Sequence, residues 1–589
     1  MNKHPAFHVA LLFAVLIAAQ SAHAQLSAGD LDPTFGTGGL VTTDFGGSSA
    51  GFRAVVVQPD NKLVAAGFTS NGDDVALSRF NVNGTLDTSF GIGGRVTTDL
   101  GPDIYGIAEV VRLQADGKIV VTGAMAPSGT PNFAWFLARY DSNGNLDAGF
   151  GDGGFVIKQF GSTYETPFDL VIQPDGKIVA AGYAGSSHGD YDFILFRCNA
   201  NGSLDDGSVD DGTPGDSFGT DSHVRTNLNV SDVAWGLALQ SDGKLVVAGR
   251  TGGLFQTDAV ALVRYNPDGS LDAGFGIGGI ELTDLPGRGG VNAIAILPSG
   301  EIVVGGNTTI NGFNEFALLR YSSTGVLDTG FGTDGLATAN VTTGIYGVQS
   351  LVIQVDGKIV AAGTTTNGNG TDNFGLVRFN ANGSPDSGFG TNGVVVTDFF
   401  GGGDQASEVR LQADGRIVVA GYAEFSPGNY DAALARYLPG PLETEIHIDV
   451  KPGGEKNRIN LISKGQVHVA LFGSSTFDVL MVRVNSVRFA GASVVGGSVD
   501  DVNGDGFLDL VFHFRIQDTT LKATYGTLLA AADTIDNGRL DRNVSIQQSG
   551  QVKLTGTTFT DQEWEGSDNV ELFLEGKPLK DFLATLPGI

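Results

Sequence analysis

Three short apolar runs, separated by polar turns, recur along the first three quarters of the chain. In one copy they are Ala54–Lys62 (AVVVQPDNK), Leu63–Thr69 (LVAAGFT) and Asp74–Gly84 (DVALSRFNVNG). Rich in Val, Ala and Leu and closed by Asp-Gly, Asn-Gly or Ser-Gly turns in most copies, they predict short β-strands. A fourth run, Arg95–Asp99 (RVTTD), follows a glycine-rich linker and predicts a fourth strand.

The linker is the clearest repeat. It reads LDPTFGTGG from Leu31, LDTSFGIGG from Leu86, LDAGFGDGG from Leu146, LDAGFGIGG from Leu271, LDTGFGTDG from Leu327 and PDSGFGTNG from Pro385. The copy at Leu204 carries an acidic insertion before Phe218-Gly219. The linker aspartates 32, 87, 147, 205, 272, 328 and 386 recur every ~59 residues, a period that means stacked supersecondary units. Four short strands in each of seven repeats predict an all-β, seven-bladed β-propeller. The chain starts with a lone fourth strand, Leu40–Asp44, and its last repeat ends after the third, at Leu434–Tyr437. Residues 40–44 are therefore expected to complete the sheet of residues 407–437 and close the ring, hiding two strand edges that an open solenoid would expose.

These motifs (LDxxFG, QxDGKIVxAG and LxRYNxxG in tandem, over roughly residues 31–438) resemble the bacterial delta-60 repeat family. The resemblance implies a β-propeller scaffold exported by bacteria, with no assigned reaction. Local departures are the Ser299-Gly300-Glu301 turn, Arg416 in place of Lys, and the insertion after Leu204.

Composition narrows the function classes. Eighty-eight glycines with only 17 % charged residues exclude a charged disordered chain and a coiled coil. A formal net charge of −30 argues against nucleic acid and anionic membranes, which need clustered Lys and Arg. Residues 1–24 have the charged start, apolar core and Ala22-His23-Ala24 site of an export signal. Cleavage near Ala24 implies a secreted or periplasmic bacterial protein, with no membrane span thereafter. Cys198 is the single cysteine and stands where other repeats carry Tyr or Phe, which predicts a buried thiol.

An arginine recurs in every third strand (79, 139, 197, 264, 320, 378 and 436), and with the linker aspartate it is expected to fix the blade. The loops joining second to third and fourth to first strands vary freely and share one face of a propeller. Their aromatics Tyr105, Trp135, Tyr164, Tyr191, Trp235, Phe313, Tyr346 and Tyr430 are the candidate ligand-binding residues, suited to a protein or a glycan. No catalytic set is evident. A calcium or carboxylate centre in the channel, making the chain a hydrolase or lyase, is the alternative, and a bulk matrix component is a third reading. The acidic insertion (Asp205, Asp206, Asp210, Asp211, Asp216) is expected to be a solvated loop.

After Pro439-Gly440-Pro441 the repeat stops. Residues 439–444 are a linker between the propeller (25–438) and a second β-rich domain, 445–589, expected to be β-sandwich-like. Its run HIDVKPGGEKNRINLISKG from His447, followed by SVRFAG and DVNGDGFLDLVFHF, resembles a module appended to many secreted bacterial proteins. Within it, Asp501, Asn503, Asp505 and Asp509 supply alternating side-chain oxygens, Gly506 permits a turn, and Phe507 offers a carbonyl, the order of a calcium loop. Position 12 is Phe512, and strands flank the loop, so it is not an EF-hand; it resembles the loops of FG-GAP repeats and dockerins. The expectation is one structural calcium, in a monomer.

Overall fold

A computed structural model of the chain describes residues 26–440 apart from short segments at 48, 70–73, 131, 188, 209–215, 253–258, 288, 311, 342–346 and 367–369. Beyond residue 440 it describes the strands alone. The export signal therefore lies outside the described residues. The chain divides into two compact units, Met1–Leu438 and Pro439–Ile589.

The first unit is a β-propeller repeat. Its blades open with Ala50–Val57, Ile104–Leu113, Tyr164–Ile172, Ser231–Leu239, Gly289–Ile296, Val348–Ile353 and Asp404–Leu411. Each of these first strands pairs antiparallel with the second, the second with the third and the third with the fourth. Blades 3 and 4 are also joined by one parallel bridge, Tyr191 to Ser231. Consecutive first strands pack against one another, and that of blade 7 packs against that of blade 1. The fourth strand of blade 7 is Leu40–Thr43, with Leu40 opposite Ala435 and Thr43 opposite Ala432.

The linker motif explains how blades are fixed to each other. The seven linker phenylalanines, Phe35 to Phe389, are fully buried between blades, and each lies under the guanidinium of its blade's recurrent arginine at 4.5–4.8 Å. Arg79 Nε donates to Asp87 at 2.8 Å, and the same pair recurs in every blade. Most of these arginines also donate to a backbone carbonyl of the next blade, as Arg320 does to Ala381 at 2.7 Å. A buried guanidinium with its donors satisfied and a ring beneath it holds position because its lost hydration is replaced. The sequence expectation that this residue fixes the blade agrees with this geometry. Hydrogen bonding from Arg320 and then from the Gly330 N–H keeps the Asp328 carboxyl below the usual carboxylate range.

The departures from the repeat are absorbed locally. The turn lysine contacts the linker aspartate in five blades, as Lys62 does Asp87 at 3.0 Å. Arg416 takes that place for Asp32 at 2.7 Å, while at Glu301 the contact is with Arg320 itself. In the insertion, Asp205 and Asp216 are both held by Lys177 and Arg197. Cys198 is buried among core residues, and burial pushes its thiol up to about 12.

In the second unit the backbone forms a hairpin from Ile546–Thr557 and Glu563–Leu574 and ladders among Glu445–Val450, Gln466–Leu471 and Asp509–Arg515. Gly496–Asp500 pairs antiparallel with Asp509–Arg515, with Asp500 opposite Asp509. The candidate calcium loop thus connects two paired strands. Of its expected ligands only Asp509 is described; Asp501, Asn503, Asp505 and Phe507 lie outside the described residues.

Candidate functional site

In every blade the first strand carries a β-bulge, and the residue it leaves unpaired differs from blade to blade. These residues are Arg53, Glu109, Phe168, Trp235, Asn292, Gln349 and Ser407. All seven are partly exposed and none belongs to the cores between blades, although their neighbours do. A bulge adds one residue to one strand only, so it turns a side chain out of the normal alternation. On the first strands the side chains so released meet between adjacent blades in two places, Arg53 with Glu109 and Phe168 with Trp235.

The contacts follow this ring. Arg53 Nε lies 3.8 Å from Glu109 Oε2. Phe168 and Trp235 stack with centroids 4.0 Å apart. Asn292 Nδ2 donates to Val348 O of the next blade at 3.1 Å. The bulge also explains the glycine of the VxxG motif in every second strand. A Cβ at Gly182 would sit 2.1 Å from Thr166 O, and one at Gly67 would sit 1.9 Å from Gly51 O, because the bulged strand brings its carbonyl onto that spot.

The residue after that glycine varies too, and it packs above the bulge. Tyr183 lies 5.7 Å from Phe168 and 4.6 Å from Tyr191, which in turn lies 6.5 Å from Tyr164. Tyr164, Tyr191, Tyr183, Phe168 and Trp235 thus form one continuous aromatic track from the variable-loop end of blade 3 to the channel. A second group forms across blades 7 and 1, where Arg53 lies 5.6 Å from both Phe68 and Tyr422, and Tyr422 packs on Tyr430 at 5.4 Å.

Further along the first strands, toward the uniform turns, four charges interlock. Arg112 bridges Asp169 at 2.7 Å and Glu408 at 3.1 Å, and Glu408 also binds Arg410. The Glu408 carboxylate accepts the Val55 N–H, and that of Asp169 accepts the Leu237 N–H at 2.9 Å. Burial raises Asp169 above the usual carboxylate range against the pull of Arg112; burial opposes the Arg112 charge, but Glu408 and Asp169 outweigh it. Burial likewise raises Glu109, with Arg53 opposing. Among the described residues no three His, Cys, Asp or Glu side chains gather as a metal site.

Of the eight aromatics expected at the variable face, Tyr164, Tyr191 and Trp235 are brought together in the track. Tyr430 joins the second group, Tyr105 is half-buried at the start of its strand, and Phe313 stands 50 % exposed. Tyr346 lies outside the described residues. Trp135 requires correction. It is fully buried, packed 4.9 Å from Phe160, and occupies the third-strand core position that Val75, Phe193, Val260 and Phe316 fill elsewhere. Size, not exposure, varies at that position. Tyr183 is absent from the expected set; its signal is a varied residue after a repeated glycine.

Seven segments match the family described as a domain of unknown function (DUF5122) beta-propeller: residues 58–90, 114–150, 173–210, 240–275, 297–331, 354–389 and 412–440. The seven matches fall one to each repeat of the β-propeller unit. No curated protein matches it. Among solved structures, a protein of unknown function from Dyadobacter fermentans is similar at 12 % identity and TM-score 0.36, covering 57 % of this chain and 95 % of its own. Sqt1 from Chaetomium thermophilum is similar at 14 % identity and TM-score 0.37, covering 67 % and 96 %. A putative oxidoreductase (glucose dehydrogenase) from Thermus thermophilus is similar at 16 % identity and TM-score 0.30, covering 68 % and 100 %. No helix among the described residues is long and apolar enough to cross a membrane.

Proposed function

We propose that the chain is an exported binding protein: a seven-bladed propeller closed by its N-terminal strand that recognises an extracellular glycan or protein through its variable-loop face. The observation that carries this reading is the continuous aromatic track from Tyr164 and Tyr191 to Trp235, partly exposed and built from positions the repeat leaves free. Partly exposed aromatic surface offers large contact area at little conformational cost. A β-sandwich-like C-terminal domain with one structural calcium at Asp501–Asp509 completes the reading. The channel hydrolase or lyase would need Glu109, Asp169 or Glu408 as its working carboxylate, and each faces an arginine. The test is capture of extracellular glycans and proteins on arrays by the mature chain beside Tyr164→Ala/Tyr191→Ala. Binding that the double variant loses supports the reading; no binding to either array overturns it.

A further inference from the structure

Within that reading, we infer that the ligand is an uncharged saccharide and that one of its rings docks in the channel mouth against Trp235, beneath the variable loops. Three observations combine. First, the bulge ring places an aromatic wall, Phe168 stacked on Trp235, beside a polar arc of Asn292, Gln349 and Ser407. Among the described residues no protein group hydrogen-bonds the Trp235 indole N–H, the Gln349 amide or the Ser407 hydroxyl, and the Asn292 amide engages only its N–H₂ side, on Val348 O. A pyranose presents the complement of this set, an apolar C–H face for an indole and a rim of hydroxyls that both donate and accept.

Second, the channel has a floor. The Arg112–Asp169–Glu408–Arg410 network ties blades 2, 3 and 7 together one to three residues past the bulge, on the side of the uniform turns. On the other side of the bulge, toward the variable loops, Tyr183 and Tyr191 continue from Phe168. A ligand enters from that face and stops at the floor, which suits the end of a glycan chain.

Third, charge is balanced. From the bulge downward the first strands carry Arg53, Arg112 and Arg410 against Glu109, Asp169 and Glu408, and every one of them is within an ion pair. A cation or an anion entering would have to break a pair and strand its partner, whereas a neutral ligand leaves them intact. The ring that reaches the floor is therefore a neutral one.

The experiment is calorimetric titration of the full mature chain with the methyl glycosides of neutral hexoses and N-acetylhexosamines, their linear tetrasaccharides, and a uronate tetrasaccharide. Trp235→Ala, Gln349→Ala and Tyr191→Ala are run beside it, and the unfolding midpoint of each variant is followed. The expected result is binding of a neutral tetrasaccharide, weakened at least tenfold by Trp235→Ala and about threefold or more by Gln349→Ala, and unchanged between roughly 50 and 500 mM salt, on the order expected for a lost stacking partner and a lost hydrogen bond. Should Trp235→Ala lower the unfolding midpoint, Trp235→Phe with Gln349→Ala carries the test. Preference for the uronate, or affinity that Trp235 and Gln349 variants leave unchanged while Tyr191→Ala removes it, overturns the inference and leaves the variable-face reading standing. Binding of proteins alone has the same consequence.

Discussion

Arg436 Nε lies 2.9 Å from Asp32 Oδ2 across 404 residues of chain, where the corresponding pair in each of the other six blades is separated by eight. Asp32 is 1 % exposed and also receives Arg416 at 2.7 Å. The N-terminal segment thus supplies blade 7 with its fourth strand, its linker carboxylate and, in Phe35, the ring under its arginine.

Removing that carboxylate strands two arginines, one of them buried. Asp32→Ala is expected to lower stability by ~3–5 kcal/mol, the range for breaking a buried pair. Asp328→Ala, whose carboxylate is 32 % exposed and has no turn lysine, is expected to cost less. Urea unfolding of the two variants side by side checks the order; equal losses would mean that Asp32 holds nothing special.

The outer strands are laced by tyrosines. Tyr140 bonds Thr98 at 2.7 Å, Tyr265 bonds Thr226 at 2.8 Å, Tyr321 bonds Thr283 at 2.9 Å and Tyr437 bonds Thr397 at 2.8 Å, each reaching the preceding blade. Phe80 stands at the same position opposite Thr43, whose Oγ1 is buried without a partner. Phe80→Tyr is therefore expected to stabilise the propeller by ~0.5–1.5 kcal/mol, read as a raised midpoint of thermal unfolding. A lowered midpoint would show that the added hydroxyl has no room.

Asp404 is fully buried at the start of the blade 7 first strand, where one oxygen accepts the Phe399 N–H at 2.8 Å and the other is unpartnered. Burial, with smaller contributions from Asp398 and Glu424, raises it to about 7. A carboxyl whose folded value lies above its unfolded one binds more protons in the native state, so its contribution to stability is present at low pH and is lost as pH rises from about 4 through 7. Asp404→Asn, which keeps the acceptor and discards the charge, should gain on the order of 1–2 kcal/mol at about pH 8 and little at about pH 4. Unfolding midpoints across that range test the sign, and a gain confined to the acidic end would reverse it.

The proposed calcium loop lies between two paired strands that end at Asp500 and Asp509. Three carboxylates in nine residues repel without a cation, so calcium should stabilise the C-terminal unit alone. Calorimetric titration of calcium into chelator-stripped protein is expected to show uptake that Asp505→Ala abolishes, with only one unfolding transition moving. Uptake that survives the substitution would place the cation elsewhere.

What could be read from sequence follows what the repeat keeps identical. The strands and the arginine and aspartate pairs sit at positions copied in every blade, where one physical reason acts seven times, and Cys198 is legible as buried because it takes the place of a Tyr or Phe there. Trp135 misleads because it lies near a variable loop, while its own strand faces the core. The bulge ring is hidden for the opposite reason. Its residues share no type, and the extra residue shifts each strand by one, so strict alternation assigns their side chains to the wrong side. The only trace in the sequence is the glycine of VxxG, whose missing Cβ makes room for the bulged carbonyl.

That arrangement separates two tasks that most β-sheets combine. Backbone pairing on either side of the bulge holds the blade in register whatever side chain stands at the bulge itself, as Arg, Glu, Phe, Trp, Asn, Gln and Ser in turn demonstrate. The channel rim is in this sense a seven-letter word written on a frame indifferent to its spelling. Under the proposed binding role, new specificities are reached one letter at a time, by single substitutions at positions on which the strand pairing does not depend.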